Sequence, residues 1–280
     1  MLNFVKNWYR IFNYFCSTAM TLSFFKYQGT GNDFIMLNNT SRIYDKLSIA
    51  DIQQLCDRKF GIGADGLISI VLRQGYDFEM VYYNADGTQS FCGNGARCAV
   101  AFAAKLGLLP SFHTTFLAID GAHQAWICED EVKLKMSDVE PIQYLENAYV
   151  VQTGSPHYVL LDDKHTHEHV LEVGRAIRFN ERYQKEGINV NLVEMTADGI
   201  QVATYERGVE DETLSCGTGV TAAALVYAQL QDLQKGAVKV ATKGGHLQVQ
   251  WQLNSDHSYS EVYLTGPAKL VYNGTYELEG

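Results

Sequence analysis

Short stretches in which apolar and polar residues alternate, or in which β-branched residues dominate, recur along the whole chain. They predict strands over 22–27, 33–38, 67–72, 77–83, 115–119, 123–128, 131–136, 149–152, 157–162, 188–194, 199–206, 236–242, 246–252, 259–264 and 268–273. Helical periodicity is confined to four segments: 48–58 with Ser48 as N-cap, 94–107, 168–180 and 218–233. Within the second and fourth of these, 99–106 and 222–230 are apolar on most faces, which places both helices in a core wrapped by strands. The regular strand–helix alternation of a parallel nucleotide-binding sheet is missing, so the predicted class is α+β.

The pattern occurs twice. Cys92-Gly93-Asn94-Gly95-Ala96 opens the second helix and Cys216-Gly217-Thr218-Gly219-Val220 opens the fourth. Upstream of them lie Gly29-Thr30-Gly31-Asn32-Asp33-Phe34 and Gln152-Thr153-Gly154-Ser155-Pro156-His157, with Gly31 61 positions before Cys92 and Gly154 62 before Cys216. This spacing predicts an internal duplication with two domains of about 120 to 140 residues. The expected division is an extension over 1–19, a first domain over 20–137 completed by a returning terminal strand within 268–280, and a second over 138–267. Two such halves, packed about a pseudo-two-fold axis, bring the helix N-termini face to face, so that the thiols address opposite faces of one carbon. A thiol at a helix start sits among unpaired N–H groups and the positive end of the helix dipole, an arrangement that favours thiolate and binds anions.

Composition narrows the function. The 280 residues carry 22 Lys and Arg against 32 Asp and Glu, a net charge of -10 without a basic block, which argues against a nucleic-acid surface. No apolar run is long enough for a membrane span. The six cysteines form no Cys-x-x-Cys pair, so neither a zinc knuckle nor a disulfide framework is expected, and free thiols point to a reducing cytoplasm. Residues 1–19 carry Lys6 and Arg10 before a short apolar run broken by Asn13, and they read as an extension from an early start rather than a targeting segment.

Several motifs lose their sharper reading in context. Gly61-Ile62-Gly63-Ala64-Asp65-Gly66 matches G-x-G-x-x-G but follows a helix and precedes a strand, the reverse of the dinucleotide-binding order, so it is expected to be a glycine-rich turn. His165, His167 and His169 lack a second group of ligands and are read as a solvated loop, with no metal implied. By contrast, His157 lies in the duplicated turn within reach of the cleft, where it is expected to tune a thiol. Glu206 and Arg207 lead into the second cysteine loop and suit the ammonium and carboxylate of an amino acid. Asn32, Asn84 and Asn189 sit at turns or strand ends, and together could supply the donors and acceptors that a doubly zwitterionic ligand needs.

In combination these segments, with Arg58, Asn84-Ala85-Asp86-Gly87, Gly187-Ile188-Asn189-Val190, Tyr205-Glu206-Arg207-Gly208 and Glu212-Thr213-Leu214-Ser215, resemble the diaminopimelate epimerase family from Phe24 to Leu278. The resemblance implies two pseudo-symmetric domains, each a mostly antiparallel β-barrel around a central helix, assembled as a homodimer. It implies interconversion of LL- and meso-diaminopimelate without a cofactor, in lysine and cell-wall precursor synthesis. By the family pattern Cys216 is the usual proton acceptor and Cys92 the usual donor, with His157 and Glu206 supporting them. Asn32, Asn84, Asn189, Glu206 and Arg207 match substrate-binding positions, as do Gly93-Asn94 and Gly217-Thr218. Two departures stand out: Ser155 occupies a place where the family carries Asn, and the loop from Glu206 to Cys216 is one residue longer than the commonest form. Two other readings stay open, a two-cysteine racemase of proline or hydroxyproline and a catalytically silent amino-acid-binding protein.

Overall fold

The computed structural model describes residues 20–278, so the expectation for 1–19 lies outside the described residues. Strand β1 (Met20–Gly29) turns tightly into β2 (Asn32–Asn38), and helix α1 (Ile49–Cys56) leads to β3 (Gly66–Val71) and β4 (Phe78–Asn84). Helix α2 (Gly93–Lys105) follows, then β5 (His113–Ala118), β6 (Gly121–Cys128) and β7 (Glu131–Lys135). The second half begins with β8 (Gln143–Leu145), β9 (Ala148–Gln152) and β10 (Pro156–Leu161), followed by α3 (His167–Arg178), β11 (Asn189–Thr196), β12 (Gly199–Glu206) and β13 (Asp211–Thr213). Helix α4 (Gly217–Leu230), β14 (Lys235–Thr242), β15 (Gly245–Leu253), β16 (Tyr259–Pro267) and β17 (Lys269–Leu278) complete it.

The duplication is explicit in the strand pairing. In the first half the order is β17-β1-β2-β3-β4-β5-β6-β7. In the second it is β8-β9-β10-β11-β12-β14-β15-β16. Both run antiparallel, antiparallel, parallel, antiparallel, parallel, antiparallel, antiparallel. The terminal strand β17 thus pairs with β1, at the place that β8 fills beside β9. The halves meet where the two equivalent last strands pair antiparallel, β7 with β16, and Leu134 lies opposite Leu264.

Each sheet curls around its own apolar helix, α2 against β1 to β4, β6 and β7, and α4 against β9 to β12 and β14 to β16. These helices are apolar on most faces because they are surrounded: Ala96, Ala99, Val100, Phe102 and Ala103 of the first, and Val220 and Ala222 to Val226 of the second, are fully buried. Helices α1 and α3 instead lie outside their sheets, with only one face covered, over Ile52 and Leu55 or over Val170. Local chemistry sets their starts. Ser48 and Asp51 form a capping box on α1, and the Thr166 hydroxyl caps α3.

The predicted strands and helices agree with the observed ones to within a few residues at their ends. Two short strands were not predicted, β8 and β13. Both are only three residues long, and β13 is the polar Asp211-Glu212-Thr213, so neither carries a periodic apolar signal.

Leu134 and Leu264 are completely buried where the two halves join. Leu264→Ala is expected to lower the free energy of unfolding by about 2 to 5 kcal/mol, as measured by urea denaturation, the usual cost of a cavity at a packed leucine. A loss below about 1 kcal/mol would show that the junction is not a tightly packed part of the core.

Candidate active site

Each cysteine is the N-cap of its helix. Cys92 and Cys216 have extended backbones (φ/ψ -132°/114° and -114°/112°), which turn the chain from a loop into α2 and α4 and leave the side chain beside the first N–H groups. Cys92 Sγ accepts from the Gly95 N–H at 3.4 Å. Cys216 Sγ instead stands 3.4 Å from the Thr218 hydroxyl. The two helix starts are tied directly together, because Asn94 Nδ2 of the first donates to the carbonyl of Ser215, next to Cys216, at 3.0 Å. Asn94 is itself held by Arg97 Nη2, which donates to its Oδ1 at 3.0 Å and also to the Thr30 hydroxyl at 3.1 Å.

The electrostatics correct one sequence expectation. Helix N-termini alone favour thiolate, yet burial, with a smaller contribution from the nearby Glu206 carboxylate, pushes Cys92 up to about 11 and Cys216 up to about 12. The donors at the helix starts offset only part of that desolvation. Glu206 is also displaced upward by its own burial. Burial thus disfavours the thiolate form of both cysteines, beside a carboxyl whose own pKa burial raises.

The other predicted residues gather around these two turns in unequal degrees. Asn32 follows the β1–β2 turn, with its Oδ1 3.5 Å from both Cys92 Sγ and Asn94 Nδ2. On the other side His157, fully buried, places Nε2 2.9 Å from Thr218 Oγ1. Burial is the main cause that lowers it to about 3, with the Arg207 charge second, so it is neutral. Asn189 accepts from the Arg207 N–H at 2.9 Å. Glu206 and Arg207, although adjacent, have different surroundings: the guanidinium donates to the Glu186 carbonyl at 2.8 Å, while the buried Glu206 carboxylate lies near enough to both thiols for its charge to act on them. Asn84 lies at the end of β4, bound to the Tyr82 hydroxyl at 2.8 Å and to Thr88 and Ser90. Ser155 lies half-buried in the turn, its carbonyl accepting from Thr153 N–H at 3.2 Å.

Four site residues were not picked out from the sequence. Asp65 accepts from Asn32 Nδ2 at 2.5 Å and is braced by Arg58, which also grips Asp33. Thr153 fixes the second helix start by donating to the Thr218 carbonyl at 2.9 Å. Arg97 is wholly buried, with Nε and Nη1 unpartnered among the described residues. Asn191 donates to His157 Nδ1 at 3.1 Å. A signal existed for two of them. Asp65 sits in the glycine-rich turn that was set aside, and Asn191 is two residues beyond Asn189, on the same face of a strand.

Of the three histidines expected in a solvated loop, His165 precedes α3 whereas His167 and His169 lie in its first turn, and each has a hydrogen-bond partner. His169 Nε2 meets Asp162 at 2.8 Å, His167 Nδ1 meets Glu212 at 2.9 Å and His165 Nε2 meets the Asp162 carbonyl at 3.0 Å. Among the described residues no group of three potential ligands could hold a metal ion, and no helix is long and apolar enough to cross a membrane.

Comparison with known proteins gives one consistent answer. The chain is 46% identical over 258 residues to a diaminopimelate epimerase of Flavobacterium psychrophilum, covering 91% of this chain and 100% of that protein. A diaminopimelate epimerase of Chlorobaculum tepidum is 39% identical, with 89% and 99% covered. Among solved structures, a Bacillus anthracis phenazine biosynthesis protein of the PhzF family shares the fold, with a TM-score of 0.72 at 13% identity over 92% of this chain and 99% of that one. The family described as diaminopimelate epimerase matches residues 24–139 and 149–271, one segment in each half of the duplication. With two cysteine-capped helices meeting at the centre of that repeat, the chain belongs to the diaminopimelate epimerase family.

Proposed function

We propose that this chain interconverts LL- and meso-diaminopimelate without a cofactor, by exchange of the α-proton between Cys92 and Cys216. The observation that carries this reading is the direct tie between the two cysteine-capped helix starts through Asn94 and the Ser215 carbonyl. An amino-acid α-hydrogen is a weak acid, so the carbanion-like transition state needs donors on the substrate carboxylate. The N–H groups at Gly93-Asn94 and Gly217-Thr218 supply them. One sulfur removes the proton as thiolate while the thiol opposite delivers another, which inverts the centre and returns the pair with the roles exchanged.

Because burial disfavours both thiolates, one thiol must give up its proton within the site before turnover. Glu206, near both sulfurs and with its own carboxyl raised, is the acceptor in this reading. Asn32, Asn84, Asn189 and Arg207 then bind the polar groups of the substrate, and Ser155 offers a shorter polar side chain than the family pattern carries. His157 supports Cys216 through Thr218.

The same reading places lysine and cell-wall precursor synthesis in the cytoplasm and takes the enzyme as a homodimer. It divides the chain into 20–137 with 268–280, and 138–267. The β1–β17 pairing supports that division.

The deciding experiment is proton NMR of LL-diaminopimelate in heavy water with reduced protein and no added cofactor. The α-proton signal is expected to vanish with the wild type, and Cys92→Ser and Cys216→Ser are each expected to slow epimerisation by about a hundred- to ten-thousand-fold. Exchange of proline with none of diaminopimelate would move the assignment to a racemase. Binding with no exchange of either would leave a binding protein.

A second expectation concerns pH. The folded protein holds His157 at about 3 against 6.5 for the free side chain, so between these values the unfolded chain takes up a proton that the folded chain refuses. Stability from neutral His157 is complete above 6.5 and falls as pH drops toward 3, by about 1.4 kcal/mol per pH unit for one proton. Urea unfolding of wild type and His157→Gln between pH 6.5 and 4 should show that part of the slope missing in the variant. Equal slopes would mean that His157 is not held neutral.

A further inference from the structure

Behind Cys216 runs a series of hydrogen bonds for which the places behind Cys92 hold two apolar side chains and a tyrosine whose hydroxyl turns to Asn84 instead. The Thr204 hydroxyl donates to Asn191 Oδ1 at 2.9 Å, and Asn191 Nδ2 lies 3.1 Å from His157 Nδ1. His157 Nε2 lies 2.9 Å from Thr218 Oγ1, which in turn stands 3.4 Å from Cys216 Sγ. Thr204, Asn191 and His157 are all buried. The amide of Asn191 can face only one way, because its Nδ2 also lies 3.3 Å from the Tyr158 carbonyl, which can only accept. Its NH2 therefore donates to Nδ1, and the single proton of the neutral imidazole sits on Nε2. The Asn189 amide nitrogen is 3.5 Å from Nε2, too far to compete with the 2.9 Å contact to Thr218. With its oxygen accepting from His157, Thr218 has its hydroxyl hydrogen left to give to sulfur.

The strand register identifies the equivalent residues of the first half. His157 pairs with Asn189, Val159 with Asn191 and Asn191 with Thr204, just as Phe34 pairs with Gly66, Met36 with Ile68 and Ile68 with Tyr82. Phe34, Ile68 and Tyr82 thus stand where the second half has His157, Asn191 and Thr204. The packing confirms the match. A Cβ on Gly219 would come within 2.4 Å of Asn191 Oδ1 and 3.3 Å of His157, and one on Gly95 within 3.0 Å of Ile68 and 3.4 Å of Phe34. The same contact is polar in one half and hydrocarbon in the other.

We propose that Asn191 is a positioning residue that locks His157 in its Nε2–H tautomer, so that Thr204, Asn191, His157 and Thr218 donate in series toward Cys216 and favour its thiolate, support that Cys92 lacks. The inference rests on the proposal that Cys216 is one of the reacting thiols. The other groups facing Cys216 are Glu206 from β12 and Cys92 from the start of α2, and Arg207 faces His157. The relay works against the first of these. It makes His157 a hydrogen-bond donor toward the sulfur, not a base that takes its proton.

Two measurements test this. Long-range nitrogen–proton NMR of the wild type, with His157 assigned by its loss in His157→Gln, should show a protonated Nε2 and an unprotonated Nδ1. Separately, the pH dependence of Cys216 alkylation by iodoacetamide, read by peptide mass in a Cys92→Ser background, should move up by about one pH unit in Asn191→Leu and in Thr218→Val, a roughly tenfold slower reaction at pH values below the midpoint. Thr204→Val should move it in the same direction by less. A protonated Nδ1 in the wild type overturns the proposal even if neither Asn191→Leu nor Thr218→Val folds, and so does an alkylation profile unchanged in folded Asn191→Leu. Neither readout depends on turnover. Full α-proton exchange by Cys216→Ser would defeat the two-thiol reading and leave the tautomer assignment standing.

Discussion

The antiparallel pairing of β7 with β16 is the constraint from which the site follows. These are the equivalent last strands of the two halves, and their register sets Leu134 opposite Leu264. The same two leucines lie under the two helix starts, since a Cβ on Gly93 would meet Leu134 at 3.9 Å and one on Gly217 would meet Leu264 at 3.0 Å. One pairing thereby fixes where both cysteine turns sit. At Gly217 a side chain would crowd Leu264, whereas at Gly93 it would make an ordinary contact with Leu134; between the two starts the Asn94 amide crosses to the Ser215 carbonyl.

Closing the halves this tightly has an electrostatic cost. Two thiols, a carboxylate and a whole guanidinium leave water together, and burial disfavours the charged form of each. What offsets part of it is a set of oriented donors, the helix N–H groups and the Thr218 hydroxyl, with the Arg97 charge near Cys92. Such groups are already aligned when charge develops, so little reorganisation is needed at the moment of proton transfer. Bracing around the two helix starts extends outward, from Asn32 to Asp65 to Arg58 in the first half and from Thr218 to His157 to Asn191 in the second. The two halves share a fold and differ in how their donors are braced.

That difference is a consequence of duplication followed by divergence at a few core positions. The places of Phe34, Ile68 and Tyr82 fill one core with hydrocarbon and aromatic rings, whereas His157, Asn191 and Thr204 satisfy one another by hydrogen bonds in the other. A buried polar trio is tolerated only when every member has a partner. It therefore behaves as a unit in which the orientation of one amide dictates which nitrogen of the imidazole carries the proton.

Much of this was written in the chain. Period-two alternation or β-branched runs marked fifteen of the strands, because a half-buried strand must alternate and a fully buried one such as β3 is apolar throughout, and the two apolar segments after the cysteines announced enclosed helices. The repeat of Cys-Gly-x-Gly at matched spacing gave the pseudo-symmetry, and with it both thiols and the neighbouring Asn32, His157, Glu206 and Arg207. Short polar strands such as β13 left no signal, since their pairing depends on a neighbour and not on their own pattern. Charge state was also out of reach. A helix start favours thiolate wherever it occurs, but whether it prevails depends on how much water the other half of the molecule removes, and here burial and Glu206 prevail. Likewise Asn191 is an ordinary strand asparagine until β10, β11, β12 and the start of α4 converge on it. Sequence determines which groups are available and on which face of an element they lie. Only the tertiary structure decides their proton positions and desolvation, because those depend on distances between segments remote along the chain.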